Sequence, residues 1–345
     1  MNLHGTLVIS LDFELYWGIH DVMDVDEYRE NLLGVHEALP RILDIFEEYG
    51  IHATWATVGF LFFHSKEELM DDLPSVKPNY TSENFSPYGK LLSIGRNEAE
   101  TPLYFAPSLI EKIVASPNQE LGTHTFSHYY CLESGQSLEE FEADLKAAIC
   151  IAKKYNHTLN TLIFPRNQVN KSYLALCKKH GIIAFRGNES HSVYEASPFK
   201  RNQTFAKKLV RLADSYINLT GHHIYCAANL ERCPIINIPS SRFLRPFSSS
   251  LKALEPLRLK RITDSLTQAA KDHKIFHLWW HPHNFGKNID ENMDFLRGIL
   301  DHYRYLQQKY EMRSLHMSEV AKLIAKRSGS KRNMFPLIKD LTPIS

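Results

Sequence analysis

The segment Gln119-Glu-Leu-Gly-Thr-His-Thr-Phe-Ser-His-Tyr129 places two histidines just after a short strand pattern. Residues 119–122 predict a strand that ends in a glycine, so His124 and His128 would project from its carboxyl end into the following turn. On a helical turn, this spacing would bring both imidazoles to one face, close enough to hold a single metal ion. Two unrelated surface histidines would show the same spacing. The other polar residues of the chain are needed to decide between these interpretations.

Strand and helix patterns alternate on both sides of this segment. The segments between the strand patterns show helical spacing, as in the segment from Asp26 to Tyr49, which Gly50 ends. Pro40 is expected to kink or divide that helix. The alternation predicts an α/β fold with a parallel sheet and right-handed crossovers, either closed into a barrel or wound open. Strand patterns occur at residues 6–11, 52–58, 119–122, 160–164, 182–185, 234–238 and 274–280, with a short eighth at 312–315.

The domain organisation follows from the length and from the continuity of this alternation. A chain of 345 residues is long for one ordinary domain, but α/β barrels reach this size as a single unit. We expect one barrel-like domain over residues 1–326 and a C-terminal tail over residues 327–345. From about residue 73 to 107 the pattern breaks into an irregular insertion, and a loop of this length is usually functional or mobile.

Composition argues against several classes of function. A net charge of +1 gives no pull toward nucleic acid, so no such partner is expected. Five scattered cysteines without a Cys-x-x-Cys pair indicate neither a disulfide framework nor a thiolate zinc site. The first residues do not resemble a signal peptide and no stretch is long enough to span a membrane, so a cytoplasmic location is expected. A basic stretch from Lys322 to Lys339 could contact anionic lipid weakly, although a solvated terminus is the simpler interpretation.

Polar side chains suited to metal-assisted chemistry follow four of the predicted strands. They are Asp12 and Glu14 after the first, His124 and His128 after the third, Arg166 after the fourth, and His281 and His283 after the seventh. The carboxyl ends of parallel strands form one rim, where barrel active sites lie, and the fifth and sixth strands offer much less there. Two histidines, one carboxylate and an open position make a common catalytic zinc site. Asp12 and Glu14 point the same way along a strand, so one could bind metal while the other acts as a base.

Five motifs, in their order along the chain, resemble those of the polysaccharide deacetylase (NodB-homology) family. They are Asp12-Phe-Glu14, Ala53-Thr-Trp-Ala-Thr-Val-Gly59, Gly122-Thr-His-Thr-Phe-Ser-His128, Phe164-Pro-Arg166 and Trp280-His-Pro-His283. The first of them is similar to a variant branch of the family with an Asp-x-Glu pair. The resemblance implies a distorted (β/α) barrel of seven or eight strands and a divalent metal, usually zinc. It also implies hydrolysis of an N-acetyl or related acyl group, typically on an amino sugar.

The same resemblance implies a role for each matching residue. Asp12 would be the catalytic base, Glu14, His124 and His128 the metal ligands, Arg166 the holder of the base carboxylate, and His281 the general acid, with His283 as its competitor. The arginine motif continues as Asn167-Gln168, where the family has an aromatic residue, so the groups around the oxyanion are not assigned.

We therefore expect a metal-dependent hydrolase that removes an N-acetyl or related acyl group from an amino sugar. The expected substrate is a nucleotide- or lipid-linked precursor of a surface polysaccharide. Hydrolysis of another C–N bond, in a cyclic amide or formamide, is one alternative, and a saccharide-binding barrel without turnover is another. Trp17, Trp280 and Tyr129 are expected to form platforms for a sugar ring, whereas Trp55 and Trp279 are expected in the core. The sequence does not determine the oligomeric state.

Overall fold

The protein, seen in a computed structural model, is described over residues 4–195, 198, 204–230, 232 and 234–332. Within these residues, nine strands form one sheet, and each strand runs parallel to its neighbours. The strands are β1 (Thr6–Phe13), β2 (Ala53–Thr57), β3 (Gln119–Thr123), β4 (Thr161–Leu162), β5 (Ala184–Phe185), β6 (Ile236–Asn237), β7 (Arg242–Phe243), β8 (Ile275–Trp280) and β9 (Arg313–Ser314). Their order is β6-β5-β4-β3-β2-β1-β8-β7, and β9 pairs with the first two residues of β1.

The sheet curls into a barrel that is open between β6 and β7, which are consecutive in the chain. The segment between them crosses the gap. The Ile238 amide donates to the Phe185 carbonyl at 2.9 Å, and the Ser241 amide donates to the His277 carbonyl at 2.8 Å. The predicted distorted (β/α) barrel is therefore confirmed. β7 was not predicted, because two residues within a loop-like sequence are too few to show a period.

β1 lies at the centre of the sheet, and all eight of its residues are buried between β2 and β8. The last pairs of the register are Phe13–Thr57, Thr57–Thr123, Thr123–Leu162 and Leu162–Phe185. The residues that follow these pairs, among them Glu14, His124 and Arg186, emerge at one level of the carboxyl rim. The parallel register is thus what brings residues distant in sequence to one place.

Helices flank the strands along the chain. The described ones include α1 (Val25–Tyr49), α2 (Lys66–Asp71), α3 (Pro107–Ala115), α4 (Leu138–Lys154), α5 (Leu174–Lys179), α6 (Phe205–Asp214), α7 (Glu255–Lys271), α8 (Ile289–Tyr310) and α9 (Met317–Arg332). α1 runs through Pro40 as one helix, so the expected division there does not occur, and Gly50 closes it in the left-handed region with φ 63°. A capping box of Ser137 and Glu140 opens α4.

The insertion between residues 73 and 107 packs onto the barrel through buried side chains that include Leu91, Ile94 and Phe105. The hydroxyl of its Tyr80 accepts the Tyr130 amide at 2.8 Å, which places the insertion beside the rim that follows β3. Within the described residues, no helix is both long and apolar enough to cross a membrane. The helical part of the predicted tail extends to Arg332 in α9, and residues 333–345 lie outside the described residues.

Candidate active site

Glu14 lies one residue beyond β1 and meets the two histidines that follow β3. Its Oε2 atom is 3.1 Å from Nε2 of His124 and 3.0 Å from Nε2 of His128. All three side chains are almost completely buried. Although burial opposes it, the imidazoles of His281 and His128 hold the pKa of Glu14 well below its usual range, so the carboxylate is ionised. The structure thus brings together the three residues predicted as metal ligands.

The partners of the two imidazoles determine which ring nitrogen carries the proton. Nδ1 of His124 lies 2.9 Å from the carbonyl oxygen of Ile163, which can only accept, so Nδ1 is the donor. The Tyr130 hydroxyl donates to Asp21 at 3.0 Å and accepts from Nδ1 of His128 at 3.2 Å. In a neutral imidazole only one nitrogen is protonated, so the neutral form of each ring directs an Nε2 lone pair at Glu14.

Three electron-pair donors therefore converge, which is unfavourable unless a cation lies among them. Burial lowers the pKa of His128 to about 4 despite the nearby Glu14 carboxylate, so this ring is neutral near pH 7 and does not act as the cation itself. Bonds of about 2.0–2.2 Å to a tetrahedral zinc ion would separate the ligand atoms by roughly 3.3 Å, close to the separations found here. The donor set fits a divalent metal ion with one position left open.

The two histidines converge through an irregular turn and not through a helical one, so the expected geometry was wrong. β3 ends at Thr123, and the backbone is left-handed at Thr125 (φ 66°) and at His128 (φ 57°). Buried Asp144 of α4 stabilises the turn, because its Oδ1 accepts the Phe126 amide at 2.7 Å and its Oδ2 accepts the Ser127 amide at 3.1 Å. Such conformations are costly for residues other than glycine, so the turn depends on these bonds.

Asp12 is held by Arg186, and the expectation that Arg166 would hold it was wrong. Nη1 and Nη2 of Arg186 donate to the two carboxylate oxygens of Asp12, both at 2.7 Å, and both side chains are buried. Although burial opposes it, the guanidinium lowers the pKa of Asp12. Arg186 directly follows β5, so it shows the same pattern, a polar residue directly after a buried strand, that indicated the other rim residues. Asn167 accepts a further hydrogen bond from Arg186 at 2.8 Å.

Arg166 instead pairs with Asp21, at 2.6 and 2.5 Å from its two oxygens. Its own backbone is left-handed (φ 54°), as is that of Asn167 (φ 53°), and this turn directs the two side chains to different partners. The Arg166 guanidinium also lies 4.2 Å from the centre of the Tyr130 ring. Because Tyr130 bonds to both Asp21 and His128, Arg166 is linked through Asp21 and Tyr130 to His128 and not to Asp12.

His281 and His283 stack on each other with ring centres 5.0 Å apart, but only His281 is accessible. The His281 side chain is 23% exposed, and its Nε2 lies 3.5 Å from Oε1 of Glu14 and 3.8 Å from Oδ2 of Asp12. His283 is buried, and burial lowers its pKa to about 3. Exposure therefore supports His281 over His283 as the group that can meet a substrate.

The expected sugar platforms were wrong. Trp17, Trp280 and Tyr129 are fully buried and cannot stack on a ligand. Trp279, expected in the core, lines a cavity beside His281, with ring centres 5.6 Å apart. Adjacent residues of a strand face opposite sides, so only one of the two neighbouring tryptophans can face this cavity.

Gly18 leaves the space that the Glu14 side chain occupies. A Cβ atom at this position would lie 1.9 Å from Oε1 of Glu14 and 2.0 Å from its carboxyl carbon. The Glu14 carboxylate is pinned by the two histidines and cannot move aside without losing those contacts. A side chain at position 18 is therefore incompatible with this arrangement.

A model of the family "Polysaccharide deacetylase" matches residues 26–185, a segment that contains both ligand histidines. Residues 26–185 belong to the polysaccharide deacetylase family. This confirms the family that the motifs indicated. Asp12, Glu14, Arg186 and His281 lie outside the matched segment, so their place at the site rests on the structure.

Solved structures share the fold of this chain at low sequence identity. One from Mycobacterium smegmatis, with a provisional polysaccharide deacetylase name, has a TM-score of 0.60 at 11% identity over 95% of this chain and 92% of that one. One from Pseudomonas aeruginosa PAO1, also named provisionally, has a TM-score of 0.54 at 9% identity over 92% and 90%. A PuuE allantoinase has a TM-score of 0.52 at 9% identity over 92% and 90%. At these identities the likeness shows the fold alone. Among curated protein sequences, none matches the chain.

Proposed function

We propose that this protein is a metal-dependent hydrolase that removes an N-acetyl group, or a related acyl group, from an amino sugar. The observation that carries the proposal is the convergence of Glu14, His124 and His128 beside an ionised Asp12 and an accessible His281. The family of residues 26–185 supports a carbohydrate deacetylase. A bound divalent ion would be held by Glu14, His124 and His128, where it would acidify a water molecule and polarise the acyl carbonyl.

Asp12 is the proposed base. Its pairing with Arg186 keeps it ionised near pH 7, and each carboxylate oxygen retains a lone pair beyond the one that Arg186 uses. Asp12 takes a proton from the attacking water as the oxygen of that water bonds to the amide carbon. Fixing the carboxylate by two hydrogen bonds orients it for this transfer.

His281 is the proposed acid. It gives a proton to the nitrogen as the C–N bond breaks, so that a neutral amine leaves and the acyl group is released as a carboxylic acid, which loses its proton to solvent. Protonation of this kind typically contributes about 10²–10⁴-fold to the rate. The accessible position of its Nε2, 3.5 Å from Glu14 and 3.8 Å from Asp12, supports this role over that of buried His283.

Turnover is favoured over a purely sugar-binding role by the buried pair of Asp12 and Arg186. Burying a carboxylate is costly, and a binding barrel has no need of a fixed, ionised base at this position. Zinc as the native metal, a nucleotide- or lipid-linked substrate and a cytoplasmic location stay predictions.

A direct test measures acetate released from a panel of N-acetylated sugars, free, nucleotide-linked and lipid-linked, and separately measures allantoate formed from allantoin as a cyclic-amide comparison. Acetate from a sugar together with about one equivalent of bound metal supports the proposal, and a protein that hydrolyses only the cyclic amide contradicts it. His124→Ala should remove the metal. Asp12→Asn should retain the metal and stop turnover, and loss of metal with this variant would mean that the two acids have exchanged roles.

The acid can be tested with a matched pair of variants. His281→Gln should lower kcat by at least about 10²-fold, whereas His283→Gln should lower it far less. The two rings are stacked neighbours at 5.0 Å, so a general disturbance of this region would affect both variants alike. A larger loss in His283→Gln would reverse the assignment.

A further inference from the structure

A cavity of about 240 Å³ lies beside His281, at the edge of the proposed catalytic centre. Trp279 and Phe243 contribute apolar surface to it. The charged residues of its lining are four arginines and one acid, namely Arg166, Arg211, Arg242, Arg245 and Glu189. An excess of guanidinium groups is unusual for a site that would accept only a neutral sugar.

Two of these arginines are neutralised by buried carboxylates. Arg166 pairs with Asp21 at 2.5 Å, and Arg242 forms an ion pair with Asp214. Asp214 is shared, because Nη2 of Arg261 lies 3.5 Å from its other oxygen. Asp21 and Asp214 are therefore already engaged by guanidinium groups other than that of Arg245.

Arg245 differs from these two. Within the described residues it forms no ion pair, and its Nε donates to a neutral partner, Oγ of Ser215, at 2.8 Å. Burial, with the guanidinium groups of Arg211 and Arg258 nearby, lowers its pKa. Nη2 of neighbouring Arg211 donates to the Val193 carbonyl at 2.6 Å. A positive group that is half buried among other positive groups is unfavourable unless an anion joins it.

We propose that this cavity binds an oxyanion of the substrate, a phosphate group attached to the amino sugar, with Arg245 as its principal contact. That the anion belongs to the substrate rests on the proposed deacetylase function; that the cavity binds an oxyanion does not. Guanidinium groups bind phosphate through paired hydrogen bonds, and the Nη atoms of Arg245 are the ones that its bond to Ser215 does not use.

The cavity is close enough to the catalytic groups for one ligand to reach both. The centre of the Phe243 ring lies 5.8 Å from the centre of the His281 ring, and Cζ of Arg245 lies 6.0 Å from the centre of the Phe243 ring. All three residues line the cavity. A sugar with a diphosphate on its anomeric carbon can span this separation, with its N-acyl group at His281. Specificity for a carrier-linked sugar would then come from Arg245, and the chemistry from the separate metal and base groups.

The binding test uses inorganic pyrophosphate and metal-free protein, so that the anion cannot ligate a metal and no turnover is needed. We expect calorimetry to detect pyrophosphate binding in the wild type, at least tenfold weaker binding in Arg245→Gln, and unchanged binding in Arg297→Gln. Arg297 is a suitable control because it lies on α8, is 41% exposed and pairs with Glu48. Equal binding in the wild type and Arg245→Gln, or no binding in the wild type, would overturn the proposal.

A second variant and a second anion complete the test. Arg245→Lys keeps the charge and should bind pyrophosphate with intermediate affinity, and circular dichroism should show that both variants are folded. Glucuronate replaces phosphate by a carboxylate, and a protein that binds glucuronate but not pyrophosphate would contradict the phosphate assignment. Failure of the acetate-release screen would count against the deacetylase proposal and leave this binding result unaffected.

Discussion

Replacing Arg186 by glutamine should expose how the proposed base is kept ionised. Arg186 is fully buried and makes two hydrogen bonds of 2.7 Å to Asp12, which is itself 3% exposed. Removing one partner of such a pair leaves an uncompensated buried charge and typically costs about 3–5 kcal/mol. We expect Arg186→Gln to lose a free energy of unfolding of this order, measured by urea denaturation of metal-free protein near pH 7.5.

The same substitution should change the pH dependence of catalysis. A loss of about 3 kcal/mol of interaction with the ionised form corresponds to a rise of about two units in the pKa of Asp12. Because the base must be ionised, the acidic limb of the profile of kcat/KM should move about two pH units upward. The effect of the substitution on the free energy of unfolding depends on pH in the opposite direction. The depressed pKa of Asp12 stabilises the folded wild type at pH values above the pKa of this residue in the unfolded chain. In the variant, the raised pKa of Asp12 makes its ionised carboxylate destabilising. The difference in the free energy of unfolding between the variant and the wild type should therefore become smaller as the pH falls toward about 5.

Two controls make this prediction specific. Arg166→Gln removes the arginine that the motif resemblance had assigned to the base, and it should leave the acidic limb in place because Arg166 pairs with Asp21. Adding Asp12→Asn to Arg186→Gln should restore part of the lost stability, since the unpaired charge is then gone. A two-unit shift in Arg166→Gln, or none in Arg186→Gln, would refute the reasoning.

Three further predictions concern the metal site and buried histidines. Tyr130→Phe removes the hydroxyl that orients a ligand imidazole and should weaken metal binding about 10–100-fold in a chelator competition, so unchanged affinity would contradict the role of this hydroxyl. Gly18→Ala should also reduce metal binding, unlike the control Gly89→Ala, where a Cβ has no neighbour within 4 Å. Burial lowers the pKa of His277 and His283 to about 3 from an ordinary 6.5, so only the unfolded chain protonates them as the pH falls below 6.5. Protonation of each of these histidines in the unfolded chain should lower the free energy of unfolding of metal-free protein by about 3 kcal/mol near pH 4.5, and His277→Gln should make that decline less steep.

Much of the site could be predicted because its residues directly follow buried apolar strands. Asp12 and Glu14 after β1, and His124 and His128 after β3, appear in the sequence as local interruptions of hydrophobic runs. Parallel strands share one carboxyl rim, so the sequence was sufficient to place these groups together. The alternation of elements likewise predicted a parallel α/β sheet, and the motif resemblance implied that it forms a distorted barrel.

The partners of these side chains could not be predicted from the sequence. Arg166 and Arg186 each follow a strand, and the motif favoured the first, but a left-handed backbone at Arg166 turns its side chain to Asp21. The two-residue strand β7 shows no period, yet it brings Phe243 to the cavity that Arg245 also lines.

The sequence by itself determined most of the order of strands and helices and most of the residues that reach the carboxyl rim, because burial imposes a period that can be read along the chain. Strand β7 and the rim residue Arg186 were not found in this way. Tertiary structure alone decided which arginine meets Asp12, which of Trp279 and Trp280 faces solvent-accessible space, and that Arg245 lacks an acidic partner among the described residues. These outcomes depend on backbone dihedral angles and on contacts between residues far apart in sequence, and neither leaves a local pattern.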